Sequence, residues 1–596
     1  MVPSADHSKP FARASLLLVG LMFVLPFLQP FHYYPLTSFY SEWLAFALGL
    51  AAATLLLRKE PWREAALPVV AIVPIGLAAV IGLQAALGRV PYPEQALTVT
   101  LYLLWAVLLV LLGSALRRML ALTDVASVLA WFLLAGGILS ALIGLLQHYQ
   151  FPTPVDFLVA RKVAQKVYGN LGQPNHFASY VTLSLASAGY LYACRRLHGA
   201  LAGGCMALFL LVLALSGSRS TWFYLGALGV LALLLHVRRR DDGSRRLALA
   251  GGLLLPGFLV ALGATTLPFM LPPAESPLLP AERLFQAADG IEPRLQLWRE
   301  AWLMFLGAPV LGAGWGQFTW HHFGYQAATG ASAAPGLFNH AHNIVMQLMA
   351  ETGLVGATII VGALVLWLAD LRRVRFGLEW GWLLALLAVI GIHSLLELPL
   401  WYSYFLGMAA LLLGLGAERV LALRFSGAVR MVASLAVISG WVNLGFMLSA
   451  YRDFERLVFL PERAAARPQD DAEFAKAVVS LYREPSLVPY IELAIAFGVT
   501  VNEDRLPDKL ALVSRAERFA PVAVVAHRRA LLLALAGERE AALAQLERSL
   551  RVYPEDARDI AAQLEVLASR HPGEFMPLLE LALARGAEFR ARAATQ

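Results

Sequence analysis

The sequence predicts an all-α polytopic transmembrane bundle with one large polar loop and a soluble helical domain at its C-terminal end. Three observations predict it. Of the 596 residues, 59% are hydrophobic and only 15% charged, with a mean hydropathy of +0.63, whereas soluble chains are about 25% charged. Apolar runs long enough to cross roughly 30 Å of hydrocarbon recur along the chain. Basic residues concentrate in alternate connections between those runs, the asymmetry that sets membrane orientation.

The runs fall near residues 14–31, 41–57, 66–88, 95–115, 125–147, 177–194, 200–216, 221–236, 247–271, 343–368, 380–396, 403–421 and 429–449, about thirteen spans by the length rule. With the N-terminus in the cytoplasm, one face receives Lys9/Arg13, Arg58/Lys59/Arg63, Arg117/Arg118, Arg195/Arg196, Arg238 to Arg240 with Arg245/Arg246, Arg372/Arg373/Arg375 and Arg419/Arg424/Arg430. The opposite face receives the 32–40, 148–176, 217–220, 272–342 and 397–402 connections, which are poor in basic residues. An odd number of spans then carries residues 450–596 to the far side of the membrane. No small-residue cleavage site follows the first apolar run, so it reads as a retained span and not a signal peptide.

The formal net charge of +7 does not imply nucleic acid, because the basic residues sit in short clusters between apolar runs. Cys194 ends one span and Cys205 lies inside the next, which argues against a disulfide framework. Two domains are expected: a membrane domain over 1–449, containing a loop at 272–342, and a helical domain over 450–596. In the latter, Ala530 to Leu550 reads as two short amphipathic helices joined at Gly537. Pro521 and Pro554 bracket them at about the 34-residue period of a tetratricopeptide unit. Such pairs form concave interaction surfaces; a simple stabilising cap is the alternative.

Polar residues gather on the far face. Long connections are functional or disordered, and the 272–342 loop ends in Phe338-Asn339-His340-Ala341-His342-Asn343. A histidine is the usual general base for a hydroxyl, so His340 and His342 are candidates for that role. With His321 and His322 they also make four imidazoles, but no carboxylate or cysteine of suitable spacing accompanies them to suggest zinc. Pro293 suits a first helical position, placing Arg294 in the first turn of a helix through Trp298 and Trp302. Ser216-Gly-Ser-Arg219-Ser220 is a tight turn between spans, where an arginine is costly unless paired or facing a wet cavity; interfacial snorkelling is the plainer reading. Two arginines on one face suit a pyrophosphate, since the guanidinium fork binds phosphate oxygens bidentately.

Gln173-Pro174-Asn175-His176 opens another span, where Asn175 can cap the helix or bind substrate. Glu397 in Glu-Leu-Pro-Leu-Trp-Tyr402 wants a partner, which either arginine can supply; Tyr402 is a phosphate or sugar donor or an aromatic-belt residue. The glycines at 307, 312, 314 and 316 imitate a phosphate loop without its Lys-Ser/Thr ending.

The Ser-Arg turn at 218–219, Arg-Leu-x-Leu-Trp at 294–298 with Gly-Ala-Gly-Trp-Gly after it, and His-x-His-Asn at 340–343 with Glu351-Thr-Gly353 resemble the bacterial O-antigen ligase superfamily. The Gln173-to-His176 and Glu397-to-Tyr402 segments and the C-terminal domain look more like its protein O-oligosaccharyltransferase branch, which glycosylates pilins. The resemblance covers roughly residues 120–450. It implies an inverting, metal-independent and cofactor-free inner-membrane glycosyltransferase. The donor would be an undecaprenyl-pyrophosphate-linked oligosaccharide and the acceptor a serine or threonine of a periplasmic or pilin-like protein. Arg219 and Arg294 would hold the pyrophosphate, and His342, with His340 as the alternative, would act on the acceptor hydroxyl. Gln173, Asn175, His176, Glu397 and Tyr402 would bind substrate. An O-antigen ligase or polymerase shares this chemistry. A transporter would instead show internal repeats and polar residues at the midplane, and neither is visible.

Overall fold

The computed structural model describes residues 9–57, 66–161, 166–267, 292–329, 336–422, 426–459, 476 and 478–595. Residues 272–291 and 330–335 of the predicted loop, and the basic positions Arg58, Lys59, Arg63 and Arg424, lie outside them. The protein is an all-α polytopic membrane protein. Among the described residues the only sheet is a short antiparallel pair, Ala66–Pro68 against Val420–Ala422.

Eleven of the thirteen expected stretches are helices long and apolar enough to cross a bilayer. The other two are helical as well. Ser403–Leu415 has 13 residues, about 20 Å at 1.5 Å per residue, short of the hydrocarbon thickness. Pro174–Ala193 is long enough, but it is rich in serine, threonine and tyrosine. The reason is position. This helix packs on Leu122–Tyr149, Gly199–Ser216, Ser220–Arg239 and Leu378–Leu396, so neighbouring helices and not lipid surround it. Ser179, Thr182, Ser184 and Ser187 are fully buried. The hydroxyls of Thr182, Ser184 and Ser187 donate to carbonyls one turn back. Gly136 and Gly137 of the neighbouring helix face Tyr180 and Ser184 so closely that a Cβ would collide with them, the small-residue contact typical of membrane helices.

The chain divides into two compact units. The first comprises residues 1–76, 102–287 and 359–448 and contains this helix bundle. Its core includes Phe27 stacked on Tyr180 at 4.2 Å, with Phe405 edge-on to Phe27.

The second unit comprises residues 77–101, 288–358 and 449–596. This unit holds the described C-terminal helices together with the described loop helices. Its helices pack as Val488–Gly498 with Leu506–Phe519, Ala523–Leu535 with Arg539–Val552, and Ala557–Ala568 with Pro572–Thr595. The middle pair joins at Gly537, whose φ of +78° suits glycine, at the turn expected from sequence.

The described part of the loop forms the helices Glu292–Gly307 and Phe318–Thr329 and leads into Ile344–Asp370. Leu297, Ala301, Met304, Phe318, Ala341 and Ala350 make a buried cluster between them. The Phe318 helix also packs on the Leu506 and Arg539 helices of the C-terminal region. Phe323 and Ala327 share a core with Ala526, Val552 and Tyr553, and the Arg548 guanidinium lies 4.5 Å from the Trp320 ring and 4.6 Å from that of Phe323.

Candidate active site

In the first unit, the Pro174 helix and the turn after the Leu378 helix bring five of the predicted residues together. Pro174 occupies the first helical position, where its missing N–H is no loss. That makes Gln173 the N-cap residue, in extended conformation with no side-chain cap bond. Asn175 is therefore inside the helix and does not cap it, contrary to the sequence reading. Its side chain turns to other elements instead. Nδ2 donates to Glu397 Oε1 at 3.0 Å, and Oδ1 accepts from Ser218 Oγ at 2.7 Å. One hydrogen bond to Glu397, for which the sequence suggests an arginine partner, comes from the Asn175 amide, which no spacing signals.

This Ser218–Asn175–Glu397 chain fixes the turn that carries Arg219. Gly217 closes the Gly199–Ser216 helix in the left-handed region at φ +59°. Ser218 is buried and tied to Asn175, and Arg219 stands exposed immediately before the Ser220 helix. The arginine is thus presented on a rigid support. His176 is 3% exposed, with its ring edge-on to Tyr402 at 4.8 Å and to His393 at 5.2 Å. Burial, reinforced by the carboxylates of Glu42 and Glu397, pushes the Tyr402 hydroxyl up to about 12, so it remains a proton donor at neutral pH.

In the second unit, Arg294 is half-buried near the start of the Glu292 helix, which runs through Trp298 and Trp302 as expected. It shares a helical face with Leu297 and Ala301, both packed into the loop core. His340 and His342 are half-buried on either side of Ala341, which is fully buried. Their rings meet edge to face at 4.1 Å, and the His342 amide donates to His340 Nδ1 at 3.3 Å. The turn is clamped from the helix that follows. Ala341 N donates to Gln347 Oε1 at 2.8 Å, while Asn343 Oδ1 accepts from Val345 N at 3.0 Å and Met346 N at 3.2 Å. Asn343 is thus the helix cap. His342 itself adopts φ +49°, a conformation that non-glycine residues hold only where their surroundings impose it and that clusters at functional sites.

Two features escaped sequence reasoning. The first is the purpose of the glycine run. Gly312, Gly314 and Gly316 all have positive φ, and the amides of Gly316, Gln317 and Phe318 turn toward the carboxylate of Glu351. The loop imitates a phosphate nest, but the group that fills it is the protein's own carboxyl side chain. The second is a buried pair, Glu300 and His322, whose spacing of 22 residues carries no periodic signal; His322 had been read only as one of four imidazoles. Its Nδ1 lies 2.5 Å from Glu300 Oε2 and its Nε2 faces the Gly336 carbonyl at 3.2 Å.

Comparison with known proteins follows the same residues. The family model "Protein glycosylation ligase" matches residues 167–192, which hold Gln173, Asn175 and His176. "O-Antigen ligase" matches 204–361, which hold Arg219, Arg294, His340 and His342. "Virulence factor membrane-bound polymerase, C-terminal" matches 381–565. The chain is 28% identical over 450 residues to a general O-oligosaccharyltransferase of Acinetobacter baylyi, an alignment covering 74% of this chain and 75% of that protein. With the three family matches lying in order across residues 167–565, this chain is similar to the O-antigen ligase superfamily and, within it, to proteins of the protein-glycosylation branch.

Proposed function

We propose that this protein is an O-linked oligosaccharyltransferase. It moves a preassembled glycan en bloc from undecaprenyl pyrophosphate to a serine or threonine of periplasmic or pilin-like proteins. The observation that carries the reading is the His340–His342 turn: two imidazoles in contact at the head of an apolar helix, one in a left-handed backbone, clamped by Gln347 and Asn343. A rigidly held imidazole at a membrane boundary suits proton removal from an acceptor hydroxyl.

In this reading His342 takes the hydroxyl proton, with His340 as the alternative base. The acceptor oxygen attacks the anomeric carbon, the bond to the phosphate oxygen breaks, and the pyrophosphate leaves with the electron pair. Attack from the opposite side inverts the anomeric centre, and no metal ion is required. Arg219 and Arg294 neutralise the charge that develops on the leaving group. Gln173, Asn175, His176, Glu397 and Tyr402 bind substrate, with the Tyr402 hydroxyl donating to phosphate or sugar. The distribution of basic residues supports an inner-membrane orientation with a cytoplasmic N-terminus and a periplasmic C-terminal region. The paired C-terminal helices suit a tetratricopeptide-like surface for the acceptor protein.

A second reading, transfer to lipid A-core or to a growing glycan, is favoured by the matches to the O-antigen ligase and membrane-bound polymerase models. One experiment separates them. Wild type, His342→Ala, Arg219→Ala and Arg294→Ala are expressed at matched membrane abundance in a cell that makes a lipid-linked oligosaccharide but lacks its own ligase. Pilin and lipid A-core are scored as acceptors by gel mobility. Glycosylated pilin from wild type and none from the variants is expected. Glycan on lipid A-core alone makes the protein an O-antigen ligase. Undiminished transfer by all three variants overturns the site assignment.

A further inference from the structure

Glu300 and His322 are 5% and 1% exposed, far more buried than the histidine turn. Every polar atom of the pair has a partner. Gln296 Nε2 donates to Glu300 Oε1 at 3.0 Å, Glu300 Oε2 meets His322 Nδ1, and His322 Nε2 faces the Gly336 carbonyl. Gln326 Nε2 donates to the same carbonyl at 3.1 Å. Both ring nitrogens thus face oxygen atoms. Burying such a pair is expensive and is weak evidence of a stability role.

What the pair grips is the segment that delivers the histidine turn. Gly336 lies four residues before His340. Phe338, between them, stands edge-on to His322 at 5.7 Å and edge-on to His342 at 5.8 Å. One phenyl ring thus separates the buried pair from the strained histidine. A side chain aimed at a reacting group needs support of this kind, because a displacement of about 1 Å can cost on the order of a hundredfold in rate.

We propose that Glu300 and His322 are positioning residues for His342: they pin Gly336 and Phe338, and Phe338 holds the His342 imidazole at the angle needed to meet the acceptor hydroxyl. The inference rests on the reading of His342 as the base.

The test uses the full chain in membranes, an undecaprenyl-pyrophosphate-linked oligosaccharide extracted from the producing cell, and pilin as acceptor. Glu300→Gln, His322→Gln and Phe338→Ala each lower kcat by about 10- to 100-fold with KM for both substrates within about twofold. The double variant His322→Gln/Phe338→Ala is no slower than Phe338→Ala, since the route from His322 is already cut. Losses that multiply, losses confined to KM, or a wild-type kcat in His322→Gln overturn the proposal.

Single removal of a buried partner can unfold the loop, so the apolar swap Glu300→Leu/His322→Phe is measured beside it. Slow transfer by a swap protein with wild-type abundance and melting midpoint supports positioning. Full transfer by it, or failure of it to accumulate, reduces the pair to packing or folding and overturns the proposal. A His342→Ala arm keeps the two claims apart. Transfer undiminished in His342→Ala removes the base assignment itself. No transfer in His342→Ala with full transfer in His322→Gln removes only this inference.

Discussion

Alanine at position 312 tests whether the glycine run is a packing device. Gly312 has φ +72°, and a Cβ there would fall on the carbonyl carbon and oxygen of Glu351 and 2.5 Å from Thr352 N. The obstacles are backbone atoms at the kink of the Ile344 helix, where Gly353 adopts φ 64° and ψ −163°, so no side-chain rotation relieves them. Left-handed backbone costs an alanine about 1–2 kcal/mol. Overpacking against fixed atoms adds about 1–3 kcal/mol. The expected loss is thus about 2–5 kcal/mol. Gly307, five residues earlier, is the control: it ends the Glu292 helix at ordinary φ, and nothing lies within 4 Å of its Cβ position. Gly307→Ala stays within about 1 kcal/mol of wild type. The assay is the melting midpoint of each purified protein in detergent, followed by fluorescence, with Trp315 adjacent to the run as one reporter. A Gly312→Ala protein that melts with Gly307→Ala refutes the argument.

Other consequences are equally direct. Asn175→Asp places a carboxylate at hydrogen-bond distance from Glu397, and two such groups cannot both stay ionised there; transfer falls at least about tenfold at neutral pH, and unchanged transfer removes Asn175 from the site. Arg548→Ala removes the cation over Trp320 and Phe323, losing about 0.5–2 kcal/mol, and amide exchange in residues 318–329 accelerates; an unchanged exchange pattern shows that the other contacts suffice. Burial lowers His527 to about 4. The unfolded chain then binds the extra proton between about pH 6.5 and 4, so stability of the C-terminal region falls as pH drops through that window, by about 2 kcal/mol at pH 5. The midpoint of acid unfolding measures it, and a His527→Gln protein with the same pH profile as wild type excludes this source.

The amino-acid sequence alone determines that this chain is a polytopic helical membrane protein, because span length and apolar composition are local properties that lipid imposes on any helix it touches. It also determines the tight turn at Gly217, the Arg294 helix after Pro293 and the Gly537 joint, each set by a proline or glycine acting on its own backbone. Motif spacing singles out His340 and His342 as candidates. The Pro174 helix, expected over 177–194, is more polar than the other spans because contact with other helices replaces contact with lipid. Only tertiary structure decided that Asn175 reaches Glu397 and Ser218, that Glu351 fills the glycine nest, that Glu300 meets His322, and that the C-terminal helices share one compact unit with the described loop helices. Those partners lie between 22 and more than 200 residues apart. No period of a helix or strand relates such distances, so burial and hydrogen-bond completion in the folded chain select the pairs.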